Sequence, residues 1–160
     1  MASADQPNRD VTITRIFNAP RELVFKAFTD AKLVQQWWGP HYFTNPVCEI
    51  DPRPGGKILI HMQAPDGTVY PEKGVFQEVV EPERLVFIDS AFEDEAGNPL
   101  LEVHNTITFE EYEGKTKMTL QAVVLKRAPE VEEALSGMEE GWSQSFEKLA
   151  DTLEKIEARK

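Results

Sequence analysis

Past Pro129 the spacing of apolar residues changes, and that change constrains the fold more than any other feature of the chain. Val131, Leu135, Met138, Trp142, Phe146, Leu149, Leu153 and Ile156 recur every three or four residues, with Glu, Lys and Ser between them. Such a stripe predicts one long amphipathic helix of roughly seven turns. A helix that long approaches the width of a whole domain, so its apolar side is buried only by lying across the face of a sheet.

The sheet is legible upstream. Val11 to Phe17 alternates apolar and polar residues with many β-branched side chains, as a half-buried strand does. Two short helices follow. Pro20 pre-sets the first, with Asn18 or Ala19 as its cap and Val24, Phe25 and Phe28 on its apolar face. Asp30 caps the second, which carries Leu33, Val34 and Trp37 and stops at Gly39-Pro40. Between Tyr42 and Val124, turns at Pro54-Gly55-Gly56, Pro65-Asp66-Gly67, Glu81-Pro82-Glu83, Gly97-Asn98 and Glu113-Gly114 separate about six further strands. Connections this short exclude parallel crossovers, so the strands pair as antiparallel hairpins and meanders. The expected fold class is α+β: a curved antiparallel sheet of about seven strands, wrapped around the long C-terminal helix in a helix-grip arrangement.

Composition narrows the partners. With 17 Lys and Arg against 28 Asp and Glu, the net charge of −11 repels phosphate backbones and anionic membranes. Nucleic acid is not an expected partner, and no apolar run reaches the roughly 20 residues that insert in a membrane. The single cysteine, Cys48, allows neither an intrachain disulfide nor an all-thiolate metal site, and it suits a reducing cytoplasm. Residues 1–9 read as a flexible tail and residues 10–160 as one domain. The chain is expected to be a monomer or a homodimer.

Several segments recur, in order, in one known family: Arg15-Ile-Phe-Asn-Ala-Pro-Arg-Glu-Leu-Val-Phe25, Trp37-Trp-Gly-Pro40, Asp51-Pro-Arg-Pro-Gly-Gly56, Pro65-Asp-Gly67, Gly74-Val-Phe-Gln-Glu-Val79, Pro82-Glu-Arg-Leu85 and Gly141-Trp142. From about Val11 to Leu153 the chain resembles homologues of the activator of the heat-shock protein ninety ATPase, of the C-terminal-domain type. These belong to the START-like superfamily, with polyketide cyclases and plant pathogenesis-related proteins. The resemblance implies the helix-grip fold, a cavity between sheet and long helix, and a link to stress response. It also implies one of three roles. First is binding of a small hydrophobic molecule. Second is a cochaperone-type module acting on the chaperone ATPase, ranked lower because eukaryotic cochaperones carry a further N-terminal domain that this sequence does not show. Third is an enzyme of cyclase or lyase type.

The candidate ligand-binding residues are Trp37 and Trp38 before the Gly39-Pro40 stop, Met138 and Trp142 on the final helix, and Ile60, Met62, Phe76, Phe87, Asn105 and Met118 on the strands. Adjacent tryptophans diverge by about 100° on a helix, so one is expected in the core and the other either at a cavity mouth or covering the hinge before Gly39-Pro40. Met138 and Trp142 suit a cavity wall, although core packing is the commoner use of such residues. Asn105 is a polar residue on an apolar face, and Glu78 and Asp89 are expected to point the same way. Each needs a buried partner, with a neighbouring protein group ahead of a ligand.

No catalytic residue, metal ligand or cofactor is assigned. His41, His61 and His104 are scattered and read as surface residues, the serines lack a nucleophile elbow, and Gly55-Gly56 precedes a strand rather than a helix. Cys48 reads as a small buried hydrophobe. Asp51 and Arg53 read as an internal ion pair, and the acidic clusters as solvated faces.

Overall fold

The computed structural model describes residues 10–158; the expected tail, residues 1–9, lies outside them. Strand β1 (Val11–Phe17) leads into α1 (Arg21–Thr29) and α2 (Ala31–Trp37). Strands β2 (Thr44–Ile50), β3 (Lys57–Gln63), β4 (Val69–Val80), β5 (Arg84–Glu93), β6 (Pro99–Tyr112) and β7 (Lys115–Arg127) follow without a helix between them. They form one sheet in the order β1-β7-β6-β5-β4-β3-β2, antiparallel at every step.

The C-terminal stripe departs from a single helix. A 3-10 turn at Pro129–Val131 and a short α3 (Glu132–Ser136) precede the long α4 (Met138–Ala158). Gly137 separates the two helices, and its weak helix propensity is the local reason for the break. At 21 residues, α4 is still about 31 Å long. Pro20 is itself the N-cap of α1, in place of Asn18 or Ala19, and that cap has no side-chain hydrogen bond. Asp30 caps α2 as its sequence implies, accepting from the Lys32 amide at 2.9 Å.

The core forms where α1, α2 and α4 meet the inward face of the sheet. Val103, Asn105, Ile107 and Phe109 share that face with Thr116, Met118, Leu120 and Ala122, all buried and in register across β6 and β7. Phe146 lies at the centre of an aromatic group containing Phe17, Phe28, Trp37 and Trp142, with ring centroids 5.4 to 6.4 Å away. Asn45 ties the end of α2 to the sheet, its side chain donating to the carbonyls of Gln35 at 3.1 Å and Trp38 at 2.9 Å. Asp51 and Arg53 do pair, at 2.8 Å, but both are exposed, so the contact fixes the turn more than it stabilises the fold.

Candidate functional site

The aromatic core fills only part of the space between sheet and helices. Beyond it lies a cavity of about 700 Å³, bounded by β3 to β6 on one side and by α3, α4 and the Trp38–Phe43 loop on the other. Its helical wall explains the open volume. Ala134, Gly137, Gly141 and Ser145 step along α3 and α4 at intervals of three or four residues and all line it, while Phe146, Leu149 and Leu153 further along fill the core. Small side chains at helical spacing leave room where large ones would pack against the sheet.

The lining is largely apolar, with one polar cluster on the strands. Glu72 of β4 and Asp89 of β5 bring two carboxyls to the same stretch of the wall, and Trp38 donates its indole N–H to Glu72 Oε2 at 3.1 Å. From β6, Asn105 Nδ2 donates to Asp89 Oδ1 at 2.6 Å and to the Val103 carbonyl at 3.3 Å. Asn105 is completely buried, and its Oδ1 has no hydrogen-bond partner. Removal from water, followed by the hydrogen bond and charge of Asp89, holds Glu72 well above the usual carboxylate range, against a smaller opposing effect of Trp38. Glu72 therefore holds its proton to higher pH than an exposed glutamate does.

That shift has a sign in stability. Above the ordinary value of 4.5 the folded state holds a proton that the unfolded chain has released, so stability falls as pH rises through the folded value. Gln in place of Glu72 retains an acceptor for Trp38 and a donor for Asp89 and cannot ionise. Urea denaturation at about pH 5 and about pH 8 is expected to show Glu72→Gln gaining on the wild type as pH rises. A constant difference between the two proteins across that range would contradict a raised Glu72.

Of the ten residues singled out in the sequence, the structure brings Trp38, Met62, Asn105, Met138 and Trp142 together around the cavity. Trp38 and Trp142 meet edge to face, with centroids 5.3 Å apart. The other five lie in the packed core instead: Trp37, Ile60, Phe76, Phe87 and Met118 are buried among core side chains. Trp37 sends its indole N–H to the Ala27 carbonyl at 2.9 Å, which satisfies it without a ligand. Asp89 points inward as expected, but Glu78 does not. A bulge between Phe76 and Glu78 inserts one residue in β4 and turns Glu78 away, where it pairs with Arg84 at 3.2 Å.

Glu72 was missed by the sequence reading, although Glu72, Gly74 and Phe76 step by two on one face of β4. His61 and His104 are half-buried rather than fully at the surface. Burial pushes the Cys48 thiol up to about 11, so it stays protonated and is a poor nucleophile at neutral pH. Among the described residues no group of three or more His, Cys, Asp or Glu is placed to hold a metal ion, and no helix is long and apolar enough to cross a membrane.

The Trp38–Phe43 loop closes one side of the cavity and is fastened to α4. Lys148 Nζ donates among the carbonyls of Trp38, Gly39, Pro40 and Phe43, at 3.2 to 3.4 Å. Gln144 accepts from the His41 amide at 3.0 Å, and Glu147 lies 3.0 Å from His41 Nε2. Gly39 has a φ of +93°, and a Cβ there would approach Met62 Sδ to 3.2 Å. The loop therefore needs glycine for both its backbone and its fit to the cavity wall.

Residues 18–154 match the model of a family described as Activator of Hsp90 ATPase homolog 1-like protein. No curated protein matches the chain. Among solved structures, a protein from Arthrobacter aurescens is 28% identical with a TM-score of 0.80, over 94% of this chain and 90% of its own. The AHSA1 protein from Silicibacter pomeroyi is 26% identical with a TM-score of 0.77, over 92% of this chain and 99% of its own. A protein from Mycobacterium smegmatis is 27% identical with a TM-score of 0.73, over 93% and 90% respectively.

Proposed function

Because this chain belongs to the family of Activator of Hsp90 ATPase homolog 1-like proteins, we propose a function of the kind its START-like fold supports: it binds a small, mostly apolar molecule in the cavity between its sheet and its C-terminal helix. The observation that carries this reading is the cavity itself. At about 700 Å³ it falls in the size range of small-molecule sites, and it combines apolar walls with one convergent polar cluster. Trp38 and Trp142 supply broad rigid surfaces, and Met62 and Met138 supply adaptable ones.

Native mass spectrometry of the protein purified from its own host tests the reading, with extraction under denaturing conditions to identify what is released. A stoichiometric apolar companion is the expected result. The neutral fluorophore N-phenylnaphthylamine is expected to bind the wild type, and Trp142→Ala to weaken that binding about tenfold to a hundredfold, given 1.5–3 kcal/mol for a buried large side chain. Unchanged affinity in a folded Trp142→Ala protein counts against the cavity as the binding site.

The family match favours a second reading, a cochaperone-type module that contacts a chaperone through its outer surface. Trp142→Ala separates the two readings, because loss of a cavity wall leaves an external contact intact. Retention of a chaperone in pull-down by both proteins, with no small molecule in either, would favour the module.

A further inference from the structure

The head group of the ligand is constrained by what the cavity offers it. Its polar cluster is rich in acceptors. Glu72 and Asp89 both line it, and their carboxyl oxygens have lone pairs beyond those used by Trp38 and Asn105. Beside them Asn105 is fully buried with Oδ1 unpartnered, which costs free energy until some N–H or O–H reaches it. The Trp38 indole N–H is already committed to Glu72, and Asn105 Nδ2 to Asp89 and Val103.

Among the described residues lining the cavity, no unpaired cation faces the cluster. The other charged side chains of the lining, Lys73 and Glu93, pair with each other at 2.8 Å, and α3, α4 and the Trp38–Phe43 loop contribute no charged side chain to the wall. Trp38, Phe43, Tyr70, Phe92 and Trp142 complete the lining with aromatic rings. Ring faces attract cations, and a carboxylate head group would meet acceptors and electron-rich faces together.

We propose that the ligand is a hydrophobic amine, bound as its ammonium cation, with the head group against Glu72, Asp89 and Asn105 and the apolar body against the aromatic walls. The assignment deepens the ligand-binding reading above and rests on it.

Isothermal titration with decylamine, decanol and decanoate, each below its aggregation concentration, tests it on the intact chain. The three probes share one apolar body and differ in the head group. Decylamine is expected to bind about tenfold or more tighter than decanol, and decanoate more weakly than either, since a hydrogen bond to a charged group typically exceeds one factor of ten. Asp89→Asn is expected to lower decylamine affinity about tenfold and leave decanol within about threefold, whereas Glu72→Gln, an isostere of the protonated acid, is expected to change either by less than about threefold. Equal affinity for amine and alcohol, or a preference for decanoate, overturns the head-group assignment and leaves the cavity a ligand site. Binding of none of the three overturns that reading and the assignment with it. Circular dichroism establishes that each variant is folded, and the wild-type series decides alone where one is not.

Discussion

Alanine in place of Phe146 is expected to remove about 3–5 kcal/mol of folding stability, the usual cost of deleting a buried aromatic ring. Phe146 is fully buried, and its ring meets Phe17, Phe28, Trp37 and Trp142, which come from β1, α1, α2 and α4. A void at that point therefore loosens four elements at once, and the rigid neighbours can close it only in part. Domains of ordinary stability hold about 5–15 kcal/mol in total, so the variant would be close to unfolded at elevated temperature. Urea denaturation measures the difference. Leu125→Ala, on an exposed position of β7, is the control and is expected to cost less than about 1 kcal/mol. A cost that small at Phe146 would mean that the ring does not hold sheet and helices together.

Replacing Lys148 by methionine is the second large effect. Methionine keeps the apolar stem and removes the ammonium that holds four carbonyls of the Trp38–Phe43 segment. Burial alone lowers the lysine below its ordinary value, so part of the gain from its hydrogen bonds is already spent on desolvation. The net loss is expected at about 1–3 kcal/mol, in the range of hydrogen bonds to charged groups. Its local consequence is more specific. The His41 amide, which bonds to Gln144, and the Phe43 amide, which bonds to the Pro40 carbonyl, are expected to exchange with solvent faster, while amides in β6 and β7 keep their protection. Unchanged exchange at His41 and Phe43 would mean that the loop is held by its packing on Trp38 and Met62 instead.

The period-two faces of β6 and β7 were readable because alternation is a local property, and each inward residue named there is buried. Even so, four of the strand candidates, Ile60, Phe76, Phe87 and Met118, share the inward face without reaching the cavity. Alternation gives the face of a strand but not the position along it where large side chains from other elements stop filling the space. Phe76 pairs with Phe87, and Phe87 with Asn105, yet only Asn105 of these three lines the cavity. Glu78 turned away for a different reason: the bulge after Phe76 shifts the face by one residue, and no residue type marks it in the sequence, whereas Glu72, ahead of the bulge, keeps the face its alternation gives.

Local patterns alone specify the succession of strands and helices, the turns that make the sheet antiparallel, and the apolar stripe that binds α4 to it, since each depends on neighbours a few residues apart. The sequence also carried the small residues Ala134, Gly137, Gly141 and Ser145. Tertiary structure decided that these small residues face a gap in the aromatic packing and not a complementary ridge, and that Glu72, Asp89 and Asn105 from three strands meet at its edge. Both outcomes depend on volumes and charges brought together from distant segments, a sum that no local pattern contains.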